Sequence, residues 1–361
     1  MRKISQLALF LLLASSCRST LYSQTGKIVG GYAVDHMMPY LLGSDDADFA
    51  CSTGTGLGGF ALSFERVTDP PNRAALSVMA AAALCSEAGA REKELDYLLA
   101  IQQGKSAAAE DARIAEKRLR ARAARRYHAS WNRLVQAYGD PTVSCPEFES
   151  ESDKSIFLLG LFSGVEAVLN DRAAEGDAQV PLDLPRLAAK AAECLTDQAF
   201  WGVPSALKAA VWTSVPGATP AGSDPWAVLE AAAVAGDATG VRLARAMQIE
   251  SLNGAGRQDD VKRALAALAK SEAAVPSAAP FRLLDANAHL IALHMSDRIW
   301  VTQTGHRTPM GSLGTFPGGA AAHEDSGLLD DLGGAPPAAP AAAPATPPVA
   351  PARKPAPKGK K

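Results

Sequence analysis

The sequence predicts an all-α body followed by a disordered tail, and three observations lead there. Alanine is abundant, with runs at Ala80–Ala83 and Ala107–Ala109, and alanine loses no side-chain entropy on entering a helix. Apolar residues recur at helical spacing, while alternating β-branched residues are nearly absent. From about Thr302 Gly and Pro dominate, followed by an Ala/Pro tract from Ala335 to Pro351 and the terminal cations Lys358, Lys360 and Lys361. Such a segment, 303–361, has too little apolar surface to offset its ordering entropy and is expected to be extended and polyproline-rich.

The first residues set the compartment. Arg2 and Lys3 precede an apolar run from Leu7 to Ala14, and Ala14-Ser15-Ser16 leads into Cys17. A basic start, a short apolar stretch and small residues before a cysteine form an export signal of the lipoprotein kind. The apolar run is too short for a permanent span, which needs roughly 20 residues. Cleavage of 1–16 would leave Cys17 to carry the lipid. Against this, Ala14 stands three residues before the cysteine where Leu is usual, so an ordinary cleaved signal is the alternative. Residues 17–44 are mixed and Gly-containing and read as a tether between lipid and body.

Four cysteines remain after Cys17: Cys51, Cys85, Cys145 and Cys194. An even set in an oxidising compartment fits two disulfides, with three pairings possible. Cys51–Cys85, at the meeting ends of an antiparallel helix pair, together with Cys145–Cys194 is the favoured one. No CxxC occurs and no His lies at ligand spacing from these residues, so the pattern is not that of a zinc site.

The body, 45–302, divides at Gly and Pro. Leu57, Phe60, Ala61, Phe64 and Val67 mark a helix over 47–68, whose Gly54, Gly56, Gly58 and Gly59 imply either irregular first turns or close packing. Pro70-Pro71 ends it, and a helix is expected over 73–87. A turn at Ala88-Gly89-Ala90 separates this from another over 91–103. Ser106 opens the longest helix, to Tyr138, which Gly139-Asp140-Pro141 stops. The next, 152–173, is the most apolar. Its Gly160 and Gly164 form a GxxxG, but Glu166 and the short apolar length favour a buried central helix over a membrane span. Shorter helices are expected near 185–195, 203–215, 225–235, 239–253 and 257–272. Asp224-Pro225 supplies a cap and a proline at the first helical position. A final helix covers 280–301.

Formal net charge is −2, which gives no broad electrostatic case for nucleic acid. No catalytic motif stands out: GxSxG, HExxH, a P-loop and a GxGxxG between strand and helix are all missing. His289 and His294 are five residues apart and fall on different faces of one helix. Asp45, Asp46 and Asp48 complement a helix start. The arginines from Arg113 to Arg126 are interleaved with Glu110, Asp111 and Glu116, as on a solvated face laced with ion pairs. Trp201 and Trp212 sit at spacing more typical of core than of a cavity lining. Neither cofactor nor metal is implied, and a non-enzymatic role is expected.

Two helix pairs resemble one another, 74–88 with 91–103 and 241–252 with 257–270, aligned at Ala88-Gly89-Ala90-Arg91 and Gly254-Ala255-Gly256-Arg257. Small residues at crossings, Gly-containing turns and Pro276 after the second pair are tetratricopeptide-like, so stacked helical hairpins of an α-solenoid-like kind are expected.

Several segments together resemble the TatT family, the TPR-like lipoprotein T-components associated with TRAP transporters. They are Asp45-Asp46-Ala47-Asp48-Phe49 with Phe60-Ala61-Leu62-Ser63-Phe64-Glu65, and Arg122-Ala123-Ala124-Arg125-Arg126-Tyr127 with Trp131. Ala199-Phe200-Trp201 with Ala209-Ala210-Val211-Trp212 completes the set. The similarity covers about residues 45–300; the family's usual Pro-Phe segment and tyrosine-rich second helix are missing here. The resemblance implies a non-catalytic body on the periplasmic side of the outer membrane, held by its lipid and associated with a periplasmic substrate-binding protein. It also implies self-assembly into a homotrimer around a passage for small apolar ligands. Arg125, Tyr127, Trp201 and Trp212 are the candidate ligand- or partner-binding residues. A structural or assembly scaffold of the cell envelope is the alternative role.

Overall fold

The computed structural model describes residues 20–318. The signal, Cys17 and the chain beyond 318 lie outside the described residues, and with them the cleavage, lipidation and Ala/Pro-tail expectations. Eleven helices and no strand occur among the described residues, so the all-α class is as the composition predicts.

Helix α1 occupies 20–42, with a π-helical turn at Ala33–Met37. This corrects the tether expected over 17–44. Met38, Leu41 and Leu42 belong to the core, and Gly26 lies so close to the next hairpin that an added Cβ would meet Thr68 Cγ2 at 2.7 Å. Gly26 thus serves close approach, whereas an added Cβ at Gly31 would meet nothing within 4 Å. Helix α2, Ala47–Ser63, is capped by Asp46, whose Oδ1 accepts from Phe49 N at 2.8 Å. It is regular rather than frayed at its start. A Cβ at Gly54 would lie 2.6 Å from the backbone nitrogen of Ala82, so this glycine sets the crossing of α2 with α3. Cys51–Cys85 ties the same crossing, with Cα atoms 5.2 Å apart.

Helix α3, Asn72–Gln102, runs through without a break, and the turn expected at Ala88-Gly89-Ala90 does not form. Alanines on both sides favour helix, and a single interior glycine costs only about 1 kcal/mol. In the corresponding Gly254-Ala255-Gly256, by contrast, Gly256 takes φ +72 and the chain reverses. The first of the two similar hairpins is therefore one long helix, and only the second is a hairpin. Helix α4, Ser106–Tyr138, packs antiparallel on α3, and α5, Glu151–Ala173, lies against both. Added Cβ atoms at Gly160 and Gly164 would collide with Leu134 and Trp131 of α4, so the GxxxG serves helix packing inside the bundle. No helix among the described residues is long and apolar enough to cross a membrane.

Helix α6, Leu184–Ala191, ends in a 3₁₀ turn that carries Cys194, and Cys145–Cys194 ties it to the loop before α5. Helices α7 (Val203–Ser214), α8 (Pro225–Thr239), α9 (Leu243–Gly254), α10 (Gln258–Ala274) and α11 (Arg282–Thr304) complete the body. Asp224 caps α8 as its Asp-Pro pair predicts. One apolar core runs from α1 through α9, and a second joins α9, α10 and α11 around Leu265 and Met295.

The ordered chain passes the expected limit at 302. After Gly305 (φ +78) closes α11, residues 305–318 fold back onto the second core. Leu313 and Phe316 pack against it, Thr308 N donates to Asp297 Oδ1 at 2.9 Å, and Trp300 Nε1 donates to Thr315 O at 3.2 Å. Two apolar residues three apart are enough to dock a segment whose composition otherwise looks unstructured.

Candidate functional site

A partly open cavity of about 110 Å³ lies among α1, α2, α3, α5, α9 and α11. Most of its wall is apolar, with Met38, Leu42, Val78, Leu159, Phe162 and Met247 among the lining. One end is polar: Glu87 and Arg91 from α3, Tyr127 from α4, Glu166 from α5 and Glu250 from α9.

The continuity of α3 places the first two. Glu87, Arg91 and Glu94 are spaced four and three residues apart and so share a helix face, which a turn at 88–90 would have separated. Glu87 is the hub of the polar end. It accepts from Tyr127 Oη at 2.7 Å, from Arg91 Nη2 at 3.2 Å, and from Arg120 Nη1 and Asn170 Nδ2, each at 3.4 Å. Arg120 continues to Glu94. Glu94 in turn meets His294 Nε2 at 3.1 Å and Arg298 Nε at 3.0 Å from α11. A ladder of charge thus runs from the cavity to the surface through α3, α4 and α11.

Burial and neighbours divide the carboxyls into two kinds. Burial pushes Glu87 up, but Arg91, Arg120 and the bonds from Tyr127 and Asn170 outweigh it, and its carboxyl sits below the ordinary range. Glu94 is likewise opposed by burial, yet His294, Arg298 and Arg120 bring it down to about 2. Glu166 goes the other way: burial first, then Glu87 and Glu250, hold it well above the usual carboxylate range. Glu250 is also raised, by burial and by Glu87, against the pull of Arg91. Burial and Glu87 keep Tyr127 a neutral phenol that donates. Glu87 is therefore a paired carboxylate, while Glu166 is a carboxylic acid facing an apolar space.

Of the four candidate binding residues, only Tyr127 reaches this cavity. Arg125, two residues earlier, projects to the exposed side of α4 and pairs with Asp177 at 2.5 Å. Trp201 is a core residue whose ring centroid lies 4.4 Å from that of Phe281. Trp212 packs, partly buried, against the same core. The four do not form one site. The arginine series of α4 follows the ion-paired reading at Arg113–Glu116, Lys117–Glu175 and Arg125–Asp177, and Arg120 departs from it by turning inward. Among the described residues no group of three or more His, Cys, Asp or Glu is placed to hold a metal ion.

Glu87, Arg91, Glu166 and Glu250 were not foreseen as site residues. Two signals point to the first three, the Glu87–Arg91 i,i+4 pair and Glu166 within the otherwise uncharged run 155–170 of α5, and none points to Glu250.

No family model, curated protein or solved structure matches this chain. Fold and site together define an all-helical, doubly disulfide-bonded protein of an oxidising, extracytoplasmic compartment, with an apolar internal cavity that ends in buried charge.

Proposed function

We propose that this is a non-catalytic, lipid-anchored periplasmic protein that holds a small ligand in its interhelical cavity and serves TRAP-type solute uptake beside a substrate-binding protein. The observation that carries the binding role is the polar end of the apolar cavity. Half-buried Glu166 and Glu250 have few partners, one bond of 3.4 Å and one ion pair of 3.6 Å, and holding such weakly partnered carboxyls against an apolar space costs free energy rather than stabilising the bundle. Convergent polar groups at one end of an apolar space are what a ligand pocket requires. The membrane anchor at Cys17, the outer-membrane location, the trimer and the transport partner rest on the export signal and on the TatT resemblance.

A second reading, an envelope scaffold, has its own support. Helices α1 and α2 turn Ile28, Tyr32, Tyr40 and Phe60 outward, each more than half exposed, and such apolar surface suits contact with a protein partner. Crosslinking in the native envelope followed by affinity purification separates the two. Recovery of a periplasmic substrate-binding protein together with a small molecule supports uptake. Recovery of envelope-assembly proteins alone, with no small molecule, overturns it. Labelling with a fatty-acid analogue, compared between the native chain and Cys17→Ala, tests the anchor: no label on the native chain removes it.

A further inference from the structure

We infer that the cavity's ligand is a small apolar amine, its alkyl or aryl body in the apolar chamber and its ammonium between Glu166 and Glu250. This rests on the ligand-binding reading above and adds the chemistry of the ligand.

Size and wall come first. An apolar cavity of about 150 Å³ accommodates benzene, so a space of about 110 Å³ suits a body of about four or five non-hydrogen atoms. Charge then selects the head. Three carboxyls, Glu87, Glu166 and Glu250, face the polar end, and Arg91 is the one cation among the residues lining the cavity. Arg91 is already engaged, at 3.2 Å from Glu87 and 3.6 Å from Glu250. Arg120 lies behind it and is divided among Glu87, Glu94 and Glu116. No cation is left over for an anionic ligand.

The acceptors, by contrast, are not used up. Glu250 accepts no hydrogen bond from any described residue, and its nearest charged partner is Arg91 at 3.6 Å. About a third of its side-chain surface, 34 %, is open, and the residue lines the cavity. Glu166 receives one long bond, from Asn170 Nδ2 at 3.4 Å. An ammonium brings three donors and one positive charge, which matches two under-used carboxyls and one excess negative charge. On binding, the ammonium supplies the missing positive charge and donates to both carboxyls, while Glu166 keeps its proton. An alcohol would supply one donor and no charge, and a carboxylate would add a fourth acid beside three.

The test uses three probes of one shape, 3-methylbutylamine, 3-methylbutan-1-ol and 3-methylbutanoate, titrated by calorimetry into the exported Cys17→Ala chain at neutral pH. The amine is expected to bind at least tenfold more tightly than the alcohol, with no binding of the acid. In the near-isosteric double variant Glu166→Gln/Glu250→Gln the amine should lose that preference while the alcohol still binds. Equal binding of amine and alcohol, or tighter binding of the acid, overturns the amine while leaving a ligand cavity in place. An amine preference that survives in the double variant overturns the assigned head site. Binding of none of the three overturns both this inference and the cavity reading beneath it.

Discussion

Removing Arg91 is the sharpest test of how the buried charge is held. Its side chain is 12 % exposed and lies 3.2 Å from Glu87, itself 5 % exposed. Truncating one member of a buried ion pair typically costs about 3–5 kcal/mol, because the other charge is left without compensation. Here the cost falls at the lower end, since Glu87 keeps Tyr127 at 2.7 Å and Arg120 at 3.4 Å, and Glu250 can relieve its own loss by taking a proton. Arg91→Met should therefore destabilise by about 3 kcal/mol. At roughly 2–4 °C per kcal/mol for a domain of this size, Tm falls by about 6–12 °C. Adding Glu87→Gln removes the stranded charge, so Arg91→Met/Glu87→Gln should recover part of that loss. The assay is thermal and urea unfolding of the oxidised protein at pH 7. A loss under about 1 kcal/mol for the single variant, or a double variant weaker than the single by the full cost of Glu87→Gln, would refute the network as drawn.

Other outcomes follow from the same geometry. Glu166 is raised in the fold, so it opposes folding above the ordinary carboxylate range, where the unfolded chain would ionise it. Glu166→Gln should raise stability at pH 7–8 and change little near pH 4, as read from urea unfolding across pH. Glu94 has the opposite sign: its folded value of about 2 contributes about 3 kcal/mol at neutral pH that is lost as pH falls from the ordinary range toward 2. Glu94→Gln should therefore destabilise at pH 7 and converge with wild type in acid. Gly54→Ala meets backbone at 2.6 Å and should cost about 1–3 kcal/mol. Gly58→Ala finds only Val78, at 3.8 Å, and should be neutral or stabilising by up to about 1 kcal/mol. Thermal melts of the pair check both. A chain ending at residue 304 should melt several degrees below one ending at 318, because it exposes the core that Leu313 and Phe316 cover.

The helices were legible wherever Gly or Pro coincides with a real chain reversal: Pro70-Pro71, Gly139-Asp140-Pro141 and Asp224-Pro225 all fall at helix boundaries. The favoured cysteine pairing is the one in the structure. Gly89 misled because a glycine inside an alanine-rich helix costs less than the continuous packing of α3 on α4 returns. The same error hid the site, since Glu87 and Arg91 share a face only when that helix is unbroken. Residues 20–42 and 305–318 were missed for a related reason. In 305–318 glycines and prolines dominate composition and hide the docking pair Leu313 and Phe316, whereas in 20–42 the three glycines, Gly26, Gly30 and Gly31, read as a tether although the segment is largely apolar and docks through Met38 and Leu41. Tyr127 was a candidate only through the family resemblance of the Arg122–Tyr127 segment, since periodicity alone cannot tell a core tyrosine from one whose hydroxyl reaches a buried glutamate.

Native mass spectrometry of the exported Cys17→Ala chain, purified without denaturant, tests most directly whether this cavity holds a ligand. The account predicts a small-molecule mass increment on the wild-type chain that is missing from Glu166→Gln/Glu250→Gln, and, after the bound molecule is dialysed away, an adduct of added 3-methylbutylamine on the wild type alone. A bare polypeptide mass in both proteins, unchanged by the amine, would contradict it.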